Sequence, residues 1–232
     1  VKWGLRGPFA NFSTACSSSA MAIGEAATCI RAGRADVIVA GGSEALLTPG
    51  MLAAWQALRT LAPADAGRPE ASCKPFDKRR AGLVLGEGAA AFVLEEESRA
   101  RARGARILGL LTGYGNTCDA AHMSRPDRGG QTRAMREALA DAGLQPQDIG
   151  YINAHGTATV VGDVVEAEAI GAVFAGYVGV IPFFHRDWLG RFLAPIVAHV
   201  GHGEAHGEHG FALEAFLVGS SILVAGLGIL AA

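Results

Sequence analysis

Short apolar runs alternate with helical segments over the first 175 residues of this chain, and that alternation limits the folds open to it. Asp36 to Gly42 is such a run, closed by Gly41 and Gly42. Ala89 to Leu94, Ile107 to Tyr114 and Ile149 to Ala154 are three more. Each has the length and composition of a buried strand. Between them, the residues after Ser17 read as a helix ending near Gly33. Glu95 to Arg103 and Thr132 to Ala142 read as two others. In the last, Met135 and Leu139 lie four apart and Gly143 supplies a stop. Asp163 is placed to cap a further helix running to Ile170. The expectation is an α/β fold of packed layers.

Composition narrows the function classes. Half the chain is hydrophobic, 18% is charged and the formal net charge is −2. That excludes a disordered chain and gives no charge excess for binding nucleic acid. The run Lys78-Arg79-Arg80 reads as a solvated turn. Cys16, Cys29, Cys73 and Cys118 show no metal-ligand spacing, so no metal is expected, and they read as reduced thiols of a cytoplasmic protein. The sequence opens on Val, without a signal-peptide pattern, and reads as a fragment.

The pattern changes after about Gly176, giving an expected division into 1–175 and 176–232. No lysine follows Lys78. His199, His202, His206 and His209 cluster with Gly and Glu. The last three have helical spacing, but the interleaved glycines favour a solvated loop. Ala215 to Ala232 carries no charge, and 211–232 is a candidate membrane segment within a helical tail. A buried core helix is the soluble alternative, although the segment is apolar all round rather than along one stripe.

Two sites carry chemistry. Cys16 lies in Ser13-Thr14-Ala15-Cys16-Ser17-Ser18-Ser19-Ala20, at the start of the first expected helix. Unpaired N–H groups and the helix dipole there favour a thiolate. A small buried hydrophobe is the alternative. His155 lies in Asn153-Ala154-His155-Gly156-Thr157-Ala158-Thr159, directly after an expected strand. A lone histidine of this kind more often caps a turn. A cysteine and a histidine remote in sequence are the general signature of an acyl-transfer thiol enzyme. Between them, Gly82, Gly86 and Gly88 suit close backbone approaches. The run has no GxxxxGK[ST] pattern and no helix opening behind it, which speaks against nucleotide binding. The apolar residues from Leu46 to Leu61 fit an acyl tunnel or, more simply, ordinary core.

Taken together these motifs resemble the β-ketoacyl-ACP synthases, the condensing enzymes of fatty-acid and polyketide synthesis. TACSSSAMAIGEA, ADVIVAGGSEA, PFDKRRAGLVLGEGAAAFVLEE and INAHGTATVVGDVVEAEAI follow one another in the family's order between residue 4 and about 175. The resemblance implies a thiolase-like layered fold, homodimeric or heterodimeric, and no cofactor. It implies that Cys16 takes the acyl chain as a thioester. His155 would assist decarboxylation of the malonyl group and steady the enolate. Thr157 and Thr159 would hydrogen-bond the phosphopantetheine arm of an acyl carrier protein, the implied partner.

The chain departs from the family in two respects. The second histidine, in its Lys-containing SSTKxxxGHxxGAAG stretch, and the later FGGTN-like loop are not found. The N-terminal third of the family is also missing, so the chain reads as the middle of a condensing enzyme with impaired activity. Non-catalytic relatives of the family keep the fold and lose the cysteine, whereas Cys16 is present here. The tail resembles part of the antiporter-like membrane subunit of NADH:quinone oxidoreductase. That similarity points to a fusion or join near residue 175, and to membrane association through 211–232 as an alternative role.

Overall fold

The computed structural model describes residues 4–122 and 125–175. The elements are α1 (Ser18–Arg31), β1 (Val37–Ala45), α2 (Pro49–Ala57), β2 (Glu87–Glu95), α3 (Glu97–Ala102), α4 (Arg128–Ala142) and α5 (Gly162–Ile170). Two compact units arise. Among the described residues, the first takes 4–52 and Leu85–Thr112; the second takes Ala53–Val84, 113–122 and 125–175. The histidine cluster, the segment 211–232 and the rest of the expected tail lie outside the described residues. Among the described residues no helix is long and apolar enough to cross a membrane.

In the first unit α1 ends where expected. Arg31 complements the carbonyl end of the helix dipole, and Gly33 turns the chain out at φ +67°. Its inner face is small: Gly24, Ala26 and Cys29 are buried. β1 and β2 pair antiparallel, with Val37 opposite Glu95 and Ala45 opposite Glu87. α1 packs on β1 at Gly42, where any side chain would strike the Ser19 hydroxyl. The helix expected from Glu95 begins two residues later. Glu95 stays in β2, and the Glu96 carboxylate caps α3 by accepting the N–H groups of Ser98 (3.1 Å) and Arg99 (2.9 Å).

In the second unit α4 begins four residues before the expected Thr132. The cause is Asp127, whose carboxylate accepts the Gly130 N–H at 2.7 Å. Gly143 ends the helix at φ +67°, as its position implied. Gly113 and Gly115 lie so close to α4 that a Cβ on Gly113 would come within 2.8 Å of the Ala142 methyl. Ile107 to Tyr114 and Ile149 to Ala154 nevertheless join no sheet among the described residues. An apolar run becomes a strand only when a neighbour supplies the ladder.

α2 also differs from expectation: none of its residues is buried. The buried apolar residues of the described chain are small, namely Ala26, Cys29, Ala40, Ala100, Ala158, Ala169 and Val173. Larger ones such as Val39, Val93, Leu58 and Leu108 are exposed.

Candidate active site

Cys16 occupies a single tight turn, Ala15–Ser17, that leads directly into α1. Ala15 holds φ +52°, a left-handed conformation that costs a non-glycine residue about 1–2 kcal/mol. Hydroxyls compensate. Ser17 donates to the Thr14 carbonyl at 2.9 Å, and Ser18 donates to the Ala15 carbonyl at 2.8 Å. The Thr14 N–H in turn donates to Ser18 Oγ at 2.8 Å. The serines beside Cys16 therefore build the turn that presents it. Cys16 is exposed, whereas Cys29 on α1 is buried.

His155, Thr157 and Thr159 share one loop of the second unit. His155 is exposed. Gly156 takes φ +53°, and a Cβ there would meet the Phe76 ring at 3.3 Å and the Pro75 side chain at 3.4 Å. The hydroxyls of Thr157 and Thr159 lie 2.9 Å apart, and Thr159 Oγ1 accepts the Gly162 N–H at 3.1 Å. Both threonines thus help to hold the loop on α5. Thr157 Oγ1 also donates to Asp163 Oδ1 at 3.5 Å and accepts the Thr159 N–H at 3.4 Å, so its one donor and two acceptor sites are all engaged, whereas Thr159 Oγ1 keeps one acceptor site. Ala158 lies between them, fully buried at φ +60°.

Three residues that sequence reasoning left without a role in the site organise this loop. Asp163 was expected to cap α5. It sits instead inside the first turn, 1% exposed, and its carboxylate accepts the Phe76 N–H at 2.6 Å. Burial raises its pKa above the usual carboxylate value, opposed by that N–H and by the Arg80 guanidinium 3.9 Å away. Arg80 belongs to the run read as solvated. Lys78 and Arg79 fit that reading, both being exposed, with Arg79 paired to Asp77. Arg80 donates to the carbonyls of Thr159 (3.1 Å) and Val160 (2.8 Å). Glu166 accepts the N–H groups of both His155 and Gly156. A local signal existed for the carboxylates, since Asp163 and Glu166 are three apart and share a helix face.

The glycine run between the two sites serves the same loop. Gly82 donates its N–H to the Ala158 carbonyl at 3.0 Å. It passes so close to residues 60–62 that a Cβ would lie 2.7 Å from the Ala62 nitrogen. Gly86 and Gly88 have open space around them and play no such part. Among the described residues no cluster of three His, Cys, Asp or Glu side chains could hold a metal.

Comparison with known proteins covers the same stretch of chain. The pattern described as "Beta-ketoacyl synthase, N-terminal domain" matches residues 1–100, and "Beta-ketoacyl synthase, C-terminal domain" matches residues 108–180. Nodulation protein E of Rhizobium sp. (strain N33) is 48% identical over 174 residues, 75% of this chain and 42% of that protein. The 3-oxoacyl-[acyl-carrier-protein] synthase 2 of Staphylococcus aureus is 43% identical over 176 residues, 75% of this chain and 43% of that protein. A β-ketoacyl synthase from Burkholderia phymatum STM815 superposes with a TM-score of 0.70 at 42% identity, covering 74% of this chain and 42% of its own. A ketosynthase bound to the hexaketide, in complex with its type II polyketide synthase acyl-carrier protein, gives 0.72 at 37% identity, covering 74% and 43%. The chain thus spans about two fifths of the length of these relatives. Within that span both domain patterns of one family follow in order, and the chain belongs to the β-ketoacyl synthases.

Proposed function

We propose that this chain carries the acyl-accepting half of a decarboxylating condensation between an acyl thioester and malonyl-ACP. In the first step the Cys16 sulfur attacks the thioester carbonyl. The acyl group moves to Cys16, and the carrier's phosphopantetheine thiol leaves with the proton. In the second, the malonyl carboxylate departs as CO2 and leaves an enolate on the thioester. The enolate carbon attacks the Cys16 thioester carbonyl, the carbon–sulfur bond breaks, and Cys16 leaves as its thiolate. His155 serves the enolate step as a donor to the oxygen that gains charge. Thr157 and Thr159 serve the phosphopantetheine arm, Thr159 through its remaining acceptor site and Thr157 by exchanging one of its bonds within the loop.

The observation that carries this reading is the turn at Cys16. It exposes one thiol at the mouth of a 14-residue helix and leaves Cys29 of the same helix buried. A thiolate is both a good nucleophile and a good leaving group, as the two steps require. The acyl carrier protein is the partner by this reading, because a ketosynthase similar to this chain is bound to one. The dimer, the cytoplasmic placement of 1–175, the separate role of 176–232 and its membrane association belong to the same proposal.

The second reading is a family member without turnover. The family's second histidine and its lysine are not found in the sequence, and loss of one such donor costs about 10²–10³ in rate. Acylation of Cys16 does not need them. The test is intact-mass analysis after incubation with a long-chain acyl thioester. One acyl group on the wild type and none on Cys16→Ala supports the reading, whatever the condensation rate. Equal labelling of both removes Cys16 as the nucleophile.

A further inference from the structure

We propose that Ser18 is the positioning residue of Cys16, its hydroxyl clipping together the left-handed turn that carries the thiol. This rests on reading Cys16 as the nucleophile. Ser18 is the first residue of α1, and its Oγ makes two bonds backward along the chain. It accepts the Thr14 N–H at 2.8 Å and donates to the Ala15 carbonyl at 2.8 Å. The ring closed by these two bonds contains ψ of Thr14 and both φ and ψ of Ala15. Those torsions set the reversal before Cys16, with Thr14 at ψ 41° and Ala15 at φ +52°. The Ala15 carbonyl also shares a peptide plane with the Cys16 N–H. Fixing that plane fixes how the Cys16 backbone enters the helix start, and so limits where its sulfur points.

The turn needs such a clip. The Cβ of Ala15 disfavours the left-handed region, and a free chain would relax out of it. Thr14, Ala15 and Cys16 are all exposed, so packing does little to oppose that relaxation. The Ser17 hydroxyl does a different job. It donates to the Thr14 carbonyl at 2.9 Å, and the same carbonyl accepts the Ser17 N–H at 3.3 Å, so that contact is made twice. The Thr14 N–H is held by a side chain, through Ser18. A turn that opens carries the sulfur away from the start of α1, where unpaired N–H groups and the helix dipole favour an anion.

The experiment uses the full 232-residue chain and two reagents, palmitoyl-CoA and iodoacetamide, with labelling followed thiol by thiol by peptide mass. Ser18→Ala is expected to slow acylation of Cys16 by between about 10-fold and about 10²-fold, the cost of misplacing a reacting group by up to about 1 Å. Alkylation of Cys16 by iodoacetamide should slow with it, while the exposed thiols of Cys73 and Cys118 keep their rates. Ser18→Thr retains the hydroxyl and should stay near the wild-type rate. Ala15→Gly, added to Ser18→Ala, should restore most of the loss, because glycine holds a positive φ without a Cβ penalty. A chain merely weakened by Ser18→Ala would change all three exposed thiols and gain nothing from the glycine. Acylation slowed by less than the lower figure overturns the proposal, and so does a failure of Ala15→Gly to recover any of the loss. If Ser18→Ala does not fold, hydrogen exchange in the wild type decides: the Thr14 amide must exchange more slowly than an unbonded one, and exchange at the unbonded rate refutes the clip. Iodoacetamide needs no acyl transfer and keeps the two ideas apart. If the wild type takes no acyl group while Cys16 alkylation falls in Ser18→Ala and returns with Ala15→Gly, the acyl-transfer reading fails alone. If the wild type is acylated and Ser18→Ala matches it with both reagents, this inference fails alone.

Discussion

The Asp163 carboxylate accepts the backbone N–H of Phe76 at 2.6 Å, joining residues 87 positions apart in sequence. One buried acid thereby ties the Pro75–Gly82 stretch to the loop that carries His155. Arg80 completes the tie, reaching the carbonyls of Thr159 and Val160 while standing 3.9 Å from Asp163.

Asp163→Ala should therefore be among the most damaging substitutions in the second unit. It leaves the Phe76 N–H without its acceptor and the largely buried Arg80 without its counter-charge. Removing one partner of a buried pair costs about 3–5 kcal/mol. Denaturant unfolding of the variant should show a loss of that size. A change below about 1 kcal/mol would mean that the carbonyl bonds of Arg80 hold the loop unaided.

Much of this arrangement could be read from the chain, and the part that could not has a common cause. α1 and α4 carry their own stop signals in Gly33 and Gly143, so local chemistry defined their ends. Cys16 and His155 stand in motifs long enough to be recognised. Asp163 was legible as a helix-start residue, but its burial depends on Phe76, which no local pattern connects to it. Arg80 looked solvated because it stands among three cations; its partners are carbonyls some 80 positions away. The runs 107–114 and 149–154 have strand composition, yet pairing is a property of the neighbour as well as of the run.

The glycine run allows a direct contrast. At Gly82 a Cβ would press on backbone atoms of residues 60–62, and φ is +142°. Neither backbone segment can give way without losing the bonds from Leu83 N–H to Thr60 O and from Ala62 N–H to Leu83 O. Gly82→Ala should cost at least about 2–3 kcal/mol, combining overpacking with backbone strain. Gly86→Ala meets open space at an ordinary φ. It should be neutral or gain about 0.5 kcal/mol by stiffening the unfolded chain. Thermal unfolding of the two variants side by side tests the pair. Equal effects would show that Gly82 is not held between residues 60–62.

Val39 and Val93 stand directly opposite each other on β1 and β2, and they are 54% and 65% exposed. Exposed apolar surface of this kind binds hydrophobic dyes. Replacing both by threonine keeps the β-branch that favours strands and removes two methyl groups from water. Dye fluorescence should fall, while far-UV circular dichroism stays unchanged and stability moves by no more than about 0.5 kcal/mol. Undiminished dye binding would mean that this cross-strand pair does not form the apolar surface of the first unit.

Two acids of the second unit should give stability opposite slopes with pH. Asp65 accepts the Lys74 ammonium at 2.9 Å and the N–H groups of Gly67 and Arg68, both at 3.2 Å. The Lys74 hydrogen bond is the largest cause lowering its pKa from 3.8 to about 2. A depressed folded pKa adds stability that is present above the unfolded value and lost as the pH falls from about 4 toward 2. Burial raises the Asp163 pKa, so the folded chain holds that proton to higher pH than the unfolded chain does. Its contribution is fully present below 3.8 and is lost as the pH rises through the folded value. Asp65→Asn should flatten the acid limb of the stability profile, and Asp163→Asn the limb above it. Denaturant midpoints measured from pH 2 to pH 7 read both limbs. A wild-type limb above pH 4 that survives unchanged in Asp163→Asn would show that burial does not govern the ionisation of this residue.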